Sequence, residues 1–212
     1  RQPIRTTGNV STLYLLEDQD IESIGLNGLT YSVGGGSDES SQILTYRVTA
    51  IPTIGTVYLA DGTTEVQNGR VLTLEELQGL KFKPKLNANG QTSFSFSVTD
   101  SGGASITETV NIDIASFNDA PELPATAITL QDGTENTAYA FTATDLLDGV
   151  IDPEGDNLQV IVTSLTATNG TITFNSSTEY TFTPDANFNG VAELNYDITD
   201  GNGGTISLSL IH

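Results

Sequence analysis

The 212 residues carry 27 acidic against 7 basic side chains, a formal net charge of −20, and no cysteine. That balance argues against nucleic acid as a partner, because no basic patch is present to neutralise phosphates. The missing cysteine excludes disulfides, thiolate metal sites and cysteine nucleophiles, and no apolar run approaches the roughly 18 residues of a membrane span. All seven basic residues lie at or before Lys85; 14 acids lie up to Ala120 and the remaining 13 acids follow it with no Lys or Arg among them. Carboxylates crowded in this way repel one another unless they are spread in water or share a cation.

Residues 1–10 are polar and basic with no periodicity and read as a lead-in; no signal peptide opens the chain, which reads as a segment of something longer. Strands are predicted at Leu13–Leu16, at Tyr31–Val33, at Ile43–Val48 after a Gly-rich acidic loop holding Asp38, and at Gly55–Leu59 before the Asp61-Gly62 turn signal. Thr73 followed by Glu75 and Glu76, with Gly79 beyond, is the one helix signature, a single capped turn. Ser93–Val98 and Val110–Ile114 alternate apolar and polar residues without a fault, the pattern of half-buried antiparallel strands.

At Ser116–Pro121 the pattern stops, and residues 118–121 read as a linker between a first module over 11–117 and a second over 122–212. The second module repeats the first. Phe182, Pro184, Asn187, Asn189 and Gly190, then Asp200 beside glycines, stand one hundred positions after Phe82, Pro84, Asn87, Asn89, Gly90 and Asp100, although Gly102-Gly103 closes the earlier copy one residue sooner. Strands are predicted over 127–130, 135–141, 158–162, 170–174, 180–182 and 206–210, with an acidic loop over 145–156. Six Asn-Gly pairs punctuate the chain as turns. About seven short strands per module, with turns every 8–12 residues, point to an all-β protein made of two tandem Greek-key β-sandwiches.

The chemistry concentrates in Asp152-Pro153-Glu154-Gly155-Asp156, three carboxylates in five residues on a bent loop. Ca²⁺ takes six to eight oxygens at about 2.3–2.6 Å, and such a loop offers several at once, whereas Mg²⁺ prefers few carboxylates and retained waters. Asp200 and the Asn118-Asp119 linker are expected at the same end of the sandwich. The alternative is a solvated acidic loop. Asp185-Ala-Asn187-Phe-Asn189-Gly190 imitates the start of an EF-hand loop, but its twelfth position is Tyr196, a strand follows, and the upstream copy begins with Lys85; it reads as a structural turn. Catalysis has little support: the one histidine is His212, and no nucleophile–base pair can be assembled. A carboxylate pair for glycoside cleavage lacks any sign of a cleft.

These residues resemble a known family. Asn118-Asp119-Ala120-Pro121, Asp152-Pro-Glu154-Gly-Asp156 and the run from Phe182 to Gly204 are similar to the tandem cadherin-like repeats of giant bacterial surface and secreted proteins, adhesins and repeats-in-toxin proteins among them. The likeness is close over 122–212 and looser over the first module. It implies a cadherin- or immunoglobulin-like fold, an extracellular or cell-surface location, no enzymatic activity, and Ca²⁺ held by Glu17, Asn118, Asp119, Asp152, Glu154 and Asp200, with Asp156 as a further ligand. It also implies equivalent positions at Asp38 and Asp100 toward an upstream neighbour and Glu135 toward a downstream one. Ser40 stands where the family places a second acid, which weakens the upstream set.

The resulting expectation is a calcium-rigidified extracellular segment that serves as spacer or adhesive module. Its partners would be neighbouring repeats, a second copy, or a cell-surface or glycan partner, without membrane insertion. The alternative is a pair of carbohydrate-binding sandwiches whose acids only confer solubility.

Overall fold

The structure is a computed structural model that describes residues 1–35, 41–124, 128 and 130–211, with the backbone alone at Ile211. It divides into two compact units, Arg1–Phe117 and Asn118–His212, each with its own apolar core.

In unit 1 the chain runs through β1 (Ile4–Thr7), β2 (Leu13–Leu16), β3 (Glu22–Ser23), β4 (Thr30–Ser32), β5 (Leu44–Ala50), β6 (Gly55–Tyr58), β7 (Val71–Leu72), α1 (Leu74–Gln78), β8 (Lys81–Pro84), β9 (Gly90–Asp100) and β10 (Ser105–Ala115). One sheet has the order β2-β10-β9-β5-β7 and the other β3-β8-β6, with β1 and β4 as a separate pair. Successive strands change sheet, as from β2 to β3, from β5 to β6 and from β8 to β9, which gives the Greek-key connections of a sandwich. All ladders are antiparallel except β2 on β10, where Leu13 faces Ile112 in parallel register.

Unit 2 follows with β11 (Tyr139–Thr142), α2 (Ala143–Leu147), β12 (Gln159–Ala167), β13 (Gly170–Phe174), β14 (Glu179–Pro184), β15 (Glu193–Thr199) and β16 (Thr205–Ile211). Its sheets, β11-β14-β13 and β12-β15-β16, repeat the orders β3-β8-β6 and β5-β9-β10.

Alternation decides what each strand buries. Phe94, Phe96 and Val98 of β9 point inward, with Val110 of β10 opposite Phe94; Leu194, Tyr196 and Ile198 of β15 repeat them, with Leu210 opposite Leu194. Phe82 and Phe182 complete the two cores, and each ring lies so close to a glycine, Gly55 or Gly170, that a Cβ there would overlap it. Glycine is required at those two strand starts because the ring occupies the side-chain space.

Two sequence expectations change, those for the lead-in and for the acidic loop. The lead-in over 1–10 contains β1, which pairs with β4 although all four of its residues are exposed; the ladder bonds that order it leave no apolar trace in sequence. The acidic loop over 145–156 begins inside α2, where Thr142 caps the helix and Asp145 returns the bond as a capping box, a twin of the Thr73–Glu76 box of α1. The turns at Asp100 and Asp200 have equal length, since Ser105 pairs with Thr99 and Thr205 with Thr199. The strand expected over 127–130 falls partly outside the described residues; Ile128 is buried and Leu130 packs on the core.

Candidate metal centre

Asp152 organises its loop before it does anything else. Its Oδ1 accepts the backbone N–H groups of Glu154 and Asp156, each at 3.0 Å, and its carbonyl accepts Gly155 N–H at 3.1 Å. Gly155 makes the bend at a positive φ of 79°. The loop is further tied by a two-way backbone bridge between Glu122 and Ile151.

This folding brings one carboxylate oxygen from each of Asp152, Glu154 and Asp156 within 4.8 Å of one another, all three residues half-buried. Among the described residues it is the one such group of three or more potential metal-binding side chains. Two unit charges at that separation repel by about 1–3 kcal/mol across the range from bulk water to a protein surface. No Lys or Arg exists beyond Lys85 to relieve them within unit 2. Asp152 Oδ2 is buried with no hydrogen-bond donor, so one acceptor of this residue has its desolvation uncompensated. Hard oxygen donors, excess negative charge and an unmatched buried acceptor fit a hard divalent cation.

The first residues of unit 2 close over this loop. Asp119 N–H donates to Glu154 Oε2 at 3.0 Å, and Asn118 Nδ2 donates to Asp200 Oδ2 at 2.8 Å. Asp200 is 4 % exposed, and its Oδ1 also accepts the N–H groups of Asn202 (2.7 Å) and Gly204 (3.0 Å). These donors, led by the Asn118 amide, hold the Asp200 carboxyl below the usual carboxylate range. Gly204 cannot carry a side chain, since a Cβ would overlap Asp200 Oδ2 and approach Asp119 O to 2.8 Å.

Of the residues singled out from sequence, the structure therefore gathers Asn118, Asp119, Asp152, Glu154, Asp156 and Asp200 into one hydrogen-bonded set within unit 2. Asp152, Glu154 and Asp156 form its carboxylate centre, and Asp200 is joined to them through amide donors. Asn202, which the sequence reading passed over as turn material, donates Nδ2 to Asp156 Oδ2 at 2.6 Å; its place beside Asp200 in a Gly-rich turn was the available signal.

In unit 1, Glu17 is 3 % exposed, with Oε1 accepting Phe117 N–H at 2.6 Å and Oε2 accepting Asn89 Nδ2 at 3.0 Å. Both of its oxygens hold protein donors at the end of β10. Asp100 is equally buried and closes its turn on Ala104 N–H at 2.9 Å. Asp38 lies outside the described residues. Glu135 of unit 2 is exposed, on the rim of a cavity of about 300 Å³ with Tyr139, Phe182 and Asn189.

The Asn-rich turns have a structural role in both units: Asn87 N–H donates to Asp18 Oδ1 and Asn187 N–H to Asn136 Oδ1, each at 2.8 Å, and all four residues have positive φ. Asp185 takes part in that turn through its carbonyl, which accepts Phe188 N–H.

Residues 4–113, more than half of the chain, match the bacterial Ig domain. The chain belongs to that family. Residues 117–211 match the cadherin-like domain, so the two units are an Ig-like and a cadherin-like sandwich in tandem. The first unit, expected to be a looser cadherin-like copy, thus matches the Ig-like relative of that fold. Among curated proteins none matches the chain.

Similar solved structures include Protocadherin Gamma B7 extracellular cadherin domains 1-4, at 15% identity and TM-score 0.44, covering 100% of this chain and 48% of that one. Human Mucin-like Protocadherin EC1-2 is at 14% identity and TM-score 0.43, covering 99% and 96%. Human CDH23 EC21-23 is at 14% identity and TM-score 0.47, covering 100% and 68%. The chain spans about half the length of the first of these or less than a third of others, such as an endo-fucoidan hydrolase of which it covers 28%. Among the described residues no helix is long and apolar enough to cross a membrane.

Proposed function

We propose that this chain is a calcium-binding, calcium-rigidified extracellular segment of a larger surface or secreted protein, serving as a spacer or adhesive stretch. The observation that carries the reading is the convergence of Asp152, Glu154 and Asp156 within 4.8 Å in a unit without a single Lys or Arg. Asp119 and Asn118, bonded to Glu154 and Asp200, would be drawn onto the same centre, so that an ion binding the loop would also restrain the chain directly after Phe117. Its chemistry would be electrostatic only: a hard cation would offset the mutual repulsion of the three carboxylates and give the Asp152 Oδ2 acceptor a partner. On this reading the segment has no catalytic role. Its partners are neighbouring repeats of its own chain and, for adhesion, a second copy or a cell-surface glycan.

The site is built from a loop and a chain entry, both of modest rigidity, which corresponds to extracellular affinities on the order of 10⁻⁴–10⁻³ M. Calorimetric titration of the full chain with calcium is expected to give a Kd in that range, and a few millimolar calcium is expected to raise the melting temperature over that in chelator. Heat-free titration together with superimposable melting curves would rule the reading out. An Asp152→Asn, Asp156→Asn variant should ignore calcium and, with the carboxylate repulsion removed, melt at or above the temperature of the chelated wild type.

A further inference from the structure

We propose that Asn202 is the positioning residue of the cation centre, the side chain that holds Asp156 toward Asp152 and Glu154 and couples it to the Asp200 turn. The inference rests on the calcium reading above. Asn202 makes two bonds in opposite directions: its backbone N–H donates to Asp200 Oδ1 at 2.7 Å, and its side-chain Nδ2 donates to Asp156 Oδ2 at 2.6 Å. The first bond fixes where the residue sits, because Asp200 is buried and held by Gly204 N–H and the Asn118 amide as well. The second then sets the orientation of the Asp156 carboxylate from outside the centre. It occupies one oxygen with a neutral donor and leaves the other for an ion. A carboxylate within 4.8 Å of two others is repelled by both, and a donor bonded to one of its oxygens opposes its swinging away toward water. Asn202 adds no charge of its own, so it orders Asp156 without cancelling the attraction for a cation. Outer partners of this kind commonly account for about 10–100-fold in metal affinity.

Unit 1 supplies the comparison. Its turn has the same length, but Gly102 stands at the position of Asn202, and Gln42 stands at the loop position of Asp156, two residues before the strand residue that pairs at the turn. A Cβ at Gly102 would lie 3.3 Å from Gln42 Nε2 and 3.2 Å from Asp100 Oδ1. There the amide comes from the loop and the turn contributes no side chain. In unit 2 the acid comes from the loop and the turn supplies the amide. The two positions change together, as expected if residue 202 exists to serve residue 156.

The test is calorimetric calcium titration of the full chain as wild type, Asn202→Gly, which copies the unit 1 turn, and Asn202→Ala. Both variants are expected to bind about 10-fold more weakly, with melting temperatures in chelator within a degree or so of wild type, because Asn202 is exposed and buries no apolar surface. Unchanged affinity in both variants would overturn the proposal. So would a large fall in the chelator melting temperature, which would make Asn202 a fold residue. A wild type that does not bind calcium at all would instead overturn the calcium reading itself, and the two failures are told apart by the wild-type titration.

Discussion

Asp100 and Asp200 close the same turn in the two units, each 4 % exposed, each followed four residues on by an N–H that its carboxylate accepts. What surrounds them differs. Asp200 is joined by Asn118 and, through Asn202, by an acidic loop, whereas in unit 1 Asp100 Oδ1 and the Gln42 amide both lie against Gly102, which has no side chain to join them. An aspartate beside glycines at the end of a core strand is therefore first a turn-closing acceptor. On the proposed calcium reading, a cation centre requires in addition a second element that brings carboxylates, here Asp152, Glu154 and Asp156, and a third that supplies amides to orient them. Glu17 and Glu135 differ as well: both oxygens of Glu17 accept protein donors, whereas Glu135 stands exposed.

The largest effect should come from the cores, which set the two units on equal terms. Phe182→Ala empties a ring-sized space in unit 2 and should cost about 3–5 kcal/mol. Calorimetry is expected to show the unit 2 transition collapse while the unit 1 transition keeps its temperature; if both fall together, the cores do not respond separately. Tyr196 sharpens the comparison next, since unit 1 has Phe96 in its place. The Tyr196 hydroxyl donates to Leu146 O at 3.0 Å, and Tyr196→Phe leaves that carbonyl unmatched, at about 1–3 kcal/mol by urea denaturation at pH 7. Burial pushes this phenol up to about 12. A phenol raised in the folded state contributes fully below the ordinary value near 10 and loses its contribution as pH rises through 12. The wild type should thus lose unit 2 stability over that window, and the Phe variant should lose less.

Removing calcium should have a smaller effect, and one confined to unit 2. At a few millimolar ion and the affinity proposed, binding adds about 1–2 kcal/mol, so chelator should lower the unit 2 melting transition by a few degrees and leave unit 1 in place. A calcium-dependent shift in unit 1 of equal size would erase the distinction drawn between Gln42 and Asp156. Asp61 should show the smallest effect. The Thr64 hydroxyl and the N–H groups of Thr64 and Thr63 pull this exposed carboxyl down to about 2. A depressed acid stabilises above its ordinary value near 4 and stops doing so as pH falls through its folded value. Asp61→Asn should therefore lower the unit 1 melting temperature slightly at pH 7, and the difference from wild type should vanish near pH 2.

Much of this protein is legible without coordinates because its information is local. Faultless alternation in Ser93–Val98 and Val110–Ile114 specifies which face of a strand is buried, and Thr73 with Glu76 specifies a capped helical turn. Three carboxylates in five residues announce their own repulsion. The rest depends on partners distant in sequence. Strand β1 has no apolar pattern and exists because β4 offers it a ladder, and α2 hides among acids that look like loop until Asp145 is seen returning the Thr142 cap. Whether an acid closes a turn or is left to serve the proposed cation centre depends on such partners too. Sequence sets the charge of Glu17, Asp100, Asp156 and Asp200, but tertiary structure determines which donors reach their oxygens, and a carboxylate already satisfied by N–H groups has less left to offer an ion.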